Sequence, residues 1–329
     1  MAQMNSNVPN VNDVLMAAKR LEGHAIKTEL LRSDRIDEIT GKTVWFKPEC
    51  LQKVGAFKYR GAYNRLSAMS NAERDRGVVA YSSGNHAQGV ARAANELGVS
   101  AIIVMPEDAP AVKVAGVKAD GAEIIFYDRA TQSREEIADQ ISAHDDRVIV
   151  PSFDDPYIIA GQGTTGLEVA QSGIKFDALV TCIGGGGLCA GISLAMSEYS
   201  PQTKIFGAEP QDYNDHQISL ERRARVRLKA TPPTLCDALM TPMPGELTWA
   251  INRKSLSGVF AVSDLECLQA MKLAKTELGV QLEPGGAVAM ASLLSGKLAT
   301  RSELQTICII LSGGNVDPDV AARADALEV

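Results

Sequence analysis

The stretch FDALVTCIGGGGLCA (residues 176–190) decides the fold class of this chain. An apolar run at residues 178–183 ends in four glycines, and a helical stretch follows at once. A short apolar run with β-branched residues predicts a buried strand, and the glycines predict a tight strand-to-helix turn. Such turns are typical of parallel α/β sheets, in which ligands bind beyond the carboxyl ends of the strands.

The same alternation of short apolar runs and helical stretches continues outward in both directions. The predicted strands are residues 42–47, 78–81, 101–105, 123–127, 148–150, 178–183, 204–208, 259–262 and 306–311. This order predicts an α/β fold with two doubly wound parallel-sheet domains and a cleft between them. We assign residues 1–51 and 154–329 to a large domain and residues 52–153 to a small one. The N-terminal strand is expected to pack on the large domain.

Composition excludes several classes of protein. The chain has 329 residues, 45% of them hydrophobic, which is enough to fill two domain cores. A net charge of −7 and a pI near 5.3 argue against nucleic acid as a partner. No apolar run is long enough to predict a membrane span or a secretion signal. The six cysteines show no paired spacing, so we expect a cytoplasmic protein with reduced thiols.

One cluster of basic residues stands out against this acidic background. It comprises Arg222, Arg223, Arg225, Arg227 and Lys229. Because no aromatic residues are interleaved with these charges, the cluster predicts a solvated helix face or a subunit contact.

Lys58 lies in the segment GAFKYRGA (residues 55–62), at the start of a predicted helix with apolar and glycine neighbours. Desolvation and the positive end of a helix both disfavour the ammonium form, so the amine becomes available as a nucleophile. Lys58 is therefore a candidate for forming a Schiff base. The alternative is a surface lysine on an amphipathic helix.

Three strand-to-helix turns carry glycine and small polar residues. The serine turn is SSGNH (residues 82–86), the glycine loop is GGGG (residues 184–187), and the C-terminal turn is SGGN (residues 312–315). Hydroxyls and free amides at the start of a helix suit a carboxylate, which is the ligand expected at the serine turn. Four glycines let the backbone wrap a phosphate without obstruction by side chains.

The glycine loop also fits a different class of enzyme. Residues 185–190 match the G-x-G-x-x-A pattern of dinucleotide-binding folds, and Glu209 ends the next strand. This pattern alone favours an NAD-dependent dehydrogenase, which would leave Lys58 and the two other turns without a purpose. A P-loop is excluded because no Lys-Ser/Thr pair follows the glycines.

Six motifs in order along the chain carry a resemblance to a known family. They are AFKYRGA (56–62), SSGNHAQG (82–89), AGQGT (160–164), the glycine loop, Glu283-Pro284 and the C-terminal turn. Together they resemble the fold-type II pyridoxal-phosphate enzymes, and within them the threonine/serine dehydratase and serine racemase branch. The resemblance extends from about Leu21 to Asp317.

This resemblance implies a complete set of cofactor contacts. Lys58 would hold pyridoxal 5′-phosphate and later remove the substrate Cα proton. The remaining contacts would come from Phe57 beside the ring, Asn85 at the 3′-oxygen, Gly184, Gly185, Gly186 and Gly187 at the phosphate, Glu283, and Ser312 at the pyridine nitrogen. A neutral serine hydroxyl makes the ring a weaker electron sink than an aspartate would, which favours elimination of a β-hydroxyl over transamination.

Substrate contacts are implied in the same way. Ser82, Ser83, Asn85 and His86 would bind the substrate carboxylate. Arg134 lies where family members can meet a second carboxylate, and Phe153 where they place a residue over the pocket. In serine racemase the serine matching Ser83 acts as an acid/base on the opposite face of the cofactor, although a helix-capping hydroxyl is equally consistent with its position.

A divalent-cation site is implied after the strand that ends at Glu209. Glu209, the backbone carbonyl of Tyr213 and Asp215 would bind Mg²⁺, or Ca²⁺ or Mn²⁺, through oxygen ligands. The family commonly has alanine at the position of Tyr213 and aspartate at that of Asn214. A solvated acidic loop is the alternative.

The resemblance implies a dehydratase, or ammonia-lyase, acting on threonine, serine or 3-hydroxyaspartate. A serine or aspartate-type racemase of the same fold is the alternative, and a homodimer is the usual assembly. Residues 231–249 depart from the common family pattern, which leaves the substrate open.

Overall fold

The computed structural model describes residues 8–109, 111–229 and 232–328. Two parallel sheets form the framework. The strands are β1 (Thr43–Pro48), β2 (Val78–Tyr81), β3 (Ala101–Pro106), β4 (Glu123–Tyr127), β5 (Val148–Ile149), β6 (Ala178–Cys182), β7 (Lys204–Pro210), β8 (Leu256–Val262) and β9 (Thr306–Leu311). Five strands pair in the order β1-β9-β6-β7-β8 and four in the order β4-β3-β2-β5. The predicted α/β fold with two doubly wound parallel sheets is confirmed.

Helices connect the strands in both halves. They are α1 (Val11–Leu21), α2 (Asp34–Thr40), α3 (Lys58–Ser67), α4 (Asn71–Arg76), α5 (Asn85–Leu97), α6 (Ala111–Ala119), α7 (Arg134–Asp145), α8 (Pro156–Ala170), α9 (Gly187–Tyr199), α10 (Asp215–Arg222), α11 (Glu246–Ser255), α12 (Asp264–Leu278), α13 (Pro284–Leu294) and α14 (Pro318–Asp325). Several start at side chains that accept hydrogen bonds from free backbone N–H groups. Asp155 caps α8 in this way, and Ser263 with Glu266 forms a capping box on α12.

Each sheet has its own apolar core. The larger core surrounds β6 and β9 and includes Phe46 and Phe206, whereas the smaller one surrounds β2 and β3 and includes Tyr59 and Ile103. As expected, the N-terminal strand joins the larger sheet, because β1 pairs in parallel with β9. The domain limits themselves, residues 1–51 with 154–329 and residues 52–153, stay a prediction, and residues 1–7 lie outside the described residues.

Four strands extend beyond their predicted ends: β1 and β3 by one residue, to Pro48 and Pro106, and β7 and β8 by more. β7 continues through Pro210 instead of ending at residue 208, and β8 begins at Leu256 instead of residue 259. Their register pairs Glu209 with Ala261 and Pro210 with Val262. Pairing between neighbouring strands thus overrides the weak strand propensity of glutamate and proline. As a result, Glu209 is fixed at the carboxyl end of a central strand.

None of the helices in the described part of the chain is long and apolar enough to cross a membrane.

Candidate active site

A cavity of about 740 Å³ lies beyond the carboxyl ends of the strands, between the two sheets. The serine turn, the glycine loop and Ser312 all line it, although they follow three different strands. The other predicted site residues that line the same cavity are Phe57, Lys58, Arg134, Phe153 and Glu283. The fold therefore brings together every residue predicted to contact the cofactor or the substrate.

Lys58 is the first residue of α3, as predicted. Its Nζ donates a hydrogen bond to the carbonyl oxygen of Ser152 at 2.7 Å and lies 5.2 Å from the centre of the Phe57 ring. Burial of the amine lowers the pKa of Lys58 to about 8. An appreciable fraction of the side chain is therefore neutral, and hence nucleophilic, near physiological pH.

Arg60, which the sequence did not single out, fixes the helix that carries Lys58. Its guanidinium is fully buried and bonds Glu49 Oε2 at 2.7 Å and Glu168 Oε1 at 2.6 Å. Lys47 also pairs with Glu168, so β1, α3 and α8 are joined through one buried ionic network. A buried charge is tolerated only when it is paired in this way. No local sequence signal could have identified the network, since Glu168 is 108 residues from Arg60.

The serine turn precedes α5, which begins at Asn85. The Asn85 amide donates to Glu283 Oε1 and accepts from Asn315 Nδ2 at 2.8 Å, so it connects the serine turn with the C-terminal turn. His86 is buried, and its Nε2 bonds the carbonyl oxygen of Val150 at 2.9 Å. Burial lowers the pKa of His86 to about 3. The neutral ring donates its single proton to Val150, so a contact of His86 with a carboxylate would have to use its backbone N–H.

Side chains of helix α11 fix the backbone of the glycine loop. Thr248 Oγ1 donates to the carbonyl oxygen of Gly185 at 2.6 Å, and Asn252 Nδ2 to that of Gly186 at 3.3 Å. Gly186 has φ +97°, which only glycine adopts readily, and a Cβ on Gly185 would collide with the Phe153 ring. With the carbonyl groups directed at α11, the N–H groups at the start of α9 can face an anion.

Ser312 also lines the cavity, where it is buried next to Cys182. Glu283 is also buried, and burial raises the pKa of its carboxyl group to about 7. The distance between Lys58 and Ser312 is set by the backbone, because the Phe57 N–H donates to the Ser312 carbonyl oxygen at 3.1 Å. An amine, an anion-binding loop and a neutral hydroxyl around one cavity fit the aldehyde, the phosphate and the ring nitrogen of pyridoxal phosphate.

Arginine side chains from both halves surround the mouth of the cavity. Arg134 starts α7, pairs with Glu135 Oε1 at 2.9 Å and stacks 5.6 Å from the Tyr81 ring. Arg129, Arg225 and Arg227 line the same cavity and were not predicted to do so. The predicted helix face was wrong for most of the basic cluster, because α10 ends at Arg222 and Arg223, Arg225, Arg227 and Lys229 follow it. The alternative, a subunit contact, stays a prediction. Arg225 and Arg227 lie on irregular chain that lines the cavity.

The side chains of Glu209, Asp215 and His216 form one cluster near the glycine loop, with their ligand atoms within 4.8 Å of one another. The sequence had not indicated His216 as a member of this cluster. All three side chains are fully buried, and His216 Nδ1 lies 3.5 Å from Glu209 Oε1 and 3.4 Å from Asp215 Oδ2. Burial raises the pKa of Glu209 to about 7 and also raises the pKa of Asp215. Tyr213 is buried in the turn between the two carboxylates.

The chemistry of these side chains fits a divalent cation. Within the described residues, neither carboxylate oxygen of Asp215 has a hydrogen-bond partner. Burial lowers the pKa of His216, but its contacts with Asp215 and Glu209 outweigh that effect and raise it to about 9. Two carboxylates this deeply buried require a compensating positive charge, which either a protonated histidine or a cation supplies.

A family model described as pyridoxal-phosphate dependent enzyme matches residues 21–313. The chain belongs to this family. An L-threo-3-hydroxyaspartate ammonia-lyase of Saccharomyces cerevisiae is 43% identical over 94% of each chain, and a serine racemase of Schizosaccharomyces pombe is 39% identical over 94% of this chain and 95% of its own. The solved structure of maize serine racemase superposes with a TM-score of 0.92 at 36% identity, covering 96% of this chain and 97% of that one. The resemblance to fold-type II enzymes is confirmed.

Family membership removes the support for an NAD-dependent dehydrogenase, and the geometry explains why the sequence pattern was misleading. A dinucleotide enzyme would use the residue at Glu209 to bind a ribose hydroxyl. Here the Glu209 carboxylate is fully buried and accepts hydrogen bonds from the backbone N–H groups of His216 and Gln217 at 3.1 and 3.0 Å. It caps the start of α10 and is not accessible to a ribose.

Proposed function

We propose that this pyridoxal-phosphate-dependent enzyme is an ammonia-lyase that eliminates the hydroxyl group of 3-hydroxyaspartate, with serine and threonine as poorer substrates. The arginines at the cavity mouth carry this proposal. Three of them pair with exposed carboxylates, Arg134 with Glu135, Arg129 with Asp108 and Arg225 with Glu246. Exposed ion pairs contribute little, so a substrate carboxylate can replace the protein partner. The yeast relative named for hydroxyaspartate supports the same substrate.

Different residues around the cavity would perform the separate steps of an elimination reaction. The serine turn would bind the α-carboxylate of the substrate, and Arg134 its second carboxylate. Lys58 would take the Cα proton through the neutral amine that burial favours. Pyridoxal phosphate supplies an electron sink for the charge left at Cα. The hydroxyl group gains one proton and leaves as water, which balances the proton that Lys58 removes from Cα. The free enamine then tautomerises and is hydrolysed to a 2-oxo acid and ammonia.

Ser312 favours this outcome over transamination. Its hydroxyl is neutral and buried beside Cys182, so it cannot keep the pyridine nitrogen protonated as a carboxylate would. The negative charge at Cα is therefore relieved more readily by elimination of the β-hydroxyl group than by delocalisation into the pyridine ring.

A purified-enzyme assay with a panel of amino acids tests the substrate. We expect 2-oxo acid release from L-threo-3-hydroxyaspartate with a higher kcat/KM than from L-serine or L-threonine. Arg134→Gln should lower kcat/KM for hydroxyaspartate by about 10- to 100-fold, the loss of one charge-assisted contact, and spare serine. Arg76→Gln, on an exposed ion pair with Asp146, is the matched control. Equal losses for both substrates would contradict the role of Arg134.

Racemisation is the second candidate, and a specific residue favours it. Ser83 lines the cavity together with Lys58, which gives the site two groups able to exchange a Cα proton. If the enzyme is a racemase, it forms D-serine from L-serine faster than it forms pyruvate. Ser83→Ala should then abolish D-serine formation while elimination from L-serine continues.

We also propose that a divalent cation, Mg²⁺ or else Ca²⁺ or Mn²⁺, binds Glu209, Asp215 and the backbone carbonyl of Tyr213. The buried carboxylate of Asp215, which accepts no hydrogen bond from the described residues, supports this site. A cytoplasmic homodimer is proposed as the form of the enzyme. The six cysteines are all free and buried, which suits a reducing compartment. Light scattering on the purified protein measures the assembly.

A further inference from the structure

A buried line of polar side chains joins the carboxylates of Glu209 and Asp215 to the glycine loop. His216 faces those carboxylates through Nδ1, and its Nε2 lies 3.3 Å from Asn252 Nδ2. The same Nδ2 donates to the carbonyl oxygen of Gly186 at 3.3 Å. His216 and Asn252 are fully buried, so water does not compete for these contacts.

Helix α11 presents two donors to the glycine loop, but only one of them contacts His216. Thr248 and Asn252 are one helical turn apart, and they hold the carbonyl groups of Gly185 and Gly186 respectively. Thr248 ends at the loop, whereas Asn252 continues to His216. Substitution of Thr248 therefore affects only the support of the loop, whereas substitution of Asn252 also affects the contact with His216.

Gly186, Asn252 and His216 are packed so closely that none of them can move without displacing another. A Cβ placed on Gly186 would lie 2.7 Å from Asn252 Nδ2 and 2.8 Å from His216 Nε2. A shift of the imidazole ring is therefore transmitted to Asn252 or to the backbone of Gly186 itself. Close-packed interiors transmit such displacements because they contain few voids.

We propose that His216 and Asn252 couple cation binding at Glu209 and Asp215 to cofactor binding at the glycine loop. The inference rests on the cation proposed above and on membership of the cofactor family, not on the identity of the substrate. A cation draws the two like-charged carboxylates together and fixes the first turn of α10, where Asp215 and His216 are adjacent. The His216 ring, which packs against the Asn252 amide, then fixes the position of that amide, and Asn252 holds Gly186 in its phosphate-binding conformation. Coupling of this kind is reciprocal, so the cofactor also tightens cation binding.

Cofactor affinity of the wild-type enzyme provides the first test. Apo-enzyme is titrated with pyridoxal phosphate, once with Mn²⁺ and once with EDTA, and the dissociation constant is taken from the visible absorbance of the bound cofactor. Mn²⁺ binding to the protein is measured separately by electron paramagnetic resonance. We expect the cation to tighten cofactor binding on the order of tenfold. The ratio of the two cofactor dissociation constants, with EDTA over with Mn²⁺, measures the coupling. A ratio of one, or absence of Mn²⁺ binding, overturns the proposal.

Two variants on α11 then locate the coupling. Thr248→Val removes a hydrogen bond to Gly185 and should weaken cofactor binding equally with and without Mn²⁺, so the wild-type ratio is kept. Asn252→Ala should weaken cofactor binding and also reduce the ratio to about one, while Mn²⁺ still binds. A wild-type ratio in Asn252→Ala overturns the proposal. Should this variant fail to fold by circular dichroism, Asn252→Ser is measured in the same way and decides by the same ratio.

The outcome is independent of the substrate assay, because neither titration involves turnover. An enzyme that rejects hydroxyaspartate but shows the expected ratios contradicts the proposed function alone. An enzyme that releases oxaloacetate with a ratio of one contradicts only the coupling.

Discussion

Lys58 lines the cavity, its amine donates a hydrogen bond to the Ser152 carbonyl oxygen, and burial lowers its pKa from 10.5 to about 8. Only the neutral amine attacks an aldehyde, and this lowered pKa makes the neutral form dominant above about pH 8. We therefore expect covalent attachment of pyridoxal phosphate to apo-enzyme to accelerate through pH 8 and to level off above it. The growth rate of the visible cofactor band, measured from about pH 6 to about pH 10, checks this.

Lys58→Gln serves as the control for that pH profile, since it should bind the cofactor without forming the band. A rate that continues to rise towards pH 10.5 would show instead that Lys58 keeps the pKa of an exposed lysine.

Local sequence was sufficient to predict that Lys58 and the three turns form the site, because each lies in a short segment of consecutive residues with a recognisable chemical role. It was insufficient for Arg60, His216 and Asn252. The partners of Arg60 and Asn252 come from distant parts of the chain, Glu168 and Gly186 respectively, and His216 contacts Asn252, 36 residues further on. The buried position that gives each of them its role is created by the packing of separate helices and strands, which no local pattern encodes.

Helix α11 is the element that shapes the glycine loop, and Asp154 fixes its start. The Asp154 carboxylate accepts hydrogen bonds from the N–H groups of Glu246, Leu247 and Thr248 at 2.7, 2.9 and 3.1 Å. Asp154→Ala should lower the free energy of unfolding by about 1 kcal/mol, the usual cost of a lost cap. Because α11 also holds the carbonyl groups of the loop, this variant should release the cofactor faster on dialysis.

Asp155→Ala, at the adjacent position, is a matched comparison. Asp155 caps α8 through the N–H groups of Tyr157 and Ile158, at 2.8 and 2.9 Å. Chemical denaturation should show a similar loss of stability, but cofactor release should stay at the wild-type rate. Equal release rates in the two variants would mean that the start of α11 does not control the glycine loop.

Periodicity and β-branched runs predicted the elements well wherever the signal was local. β2, β4 and β9 have the predicted bounds. The ends of β7 and β8 were missed because strand pairing, rather than propensity, extends them. The basic cluster was misjudged in part for a similar reason: Arg223 adopts φ +54° and ends α10, and this places Arg225 and Arg227 over the cavity.

At the scale of the whole molecule, the Lys113–Asp237 ion pair joins the two halves of the chain beside the cavity. Lys113 of α6 is buried and donates to Asp237 Oδ2 at 2.6 Å from the opposite side. Asp237→Asn would leave the buried ammonium group without its partner, which favours an open cleft in which water solvates it. We expect KM for the substrate to rise about tenfold, equivalent to about 1.4 kcal/mol, with a smaller change in kcat.

Small-angle X-ray scattering measures the opening directly as a larger radius of gyration of the Asp237→Asn variant. Lys275→Gln is the control, since it breaks an exposed pair with Asp325, also at 2.6 Å, away from the cleft. An unchanged radius together with an unchanged KM would show that the Lys113 pair does not hold the two halves together.

Attachment of the cofactor to Lys58 is tested most directly by reducing the holoenzyme with borohydride, digesting it and locating the modified peptide by mass spectrometry. The geometry of the cavity predicts the added mass of the reduced cofactor on the peptide that contains Lys58, with the other lysines unmodified. Modification of a different lysine, or an unmodified Lys58 in protein that retains the visible cofactor band, would contradict the assignment of the active site.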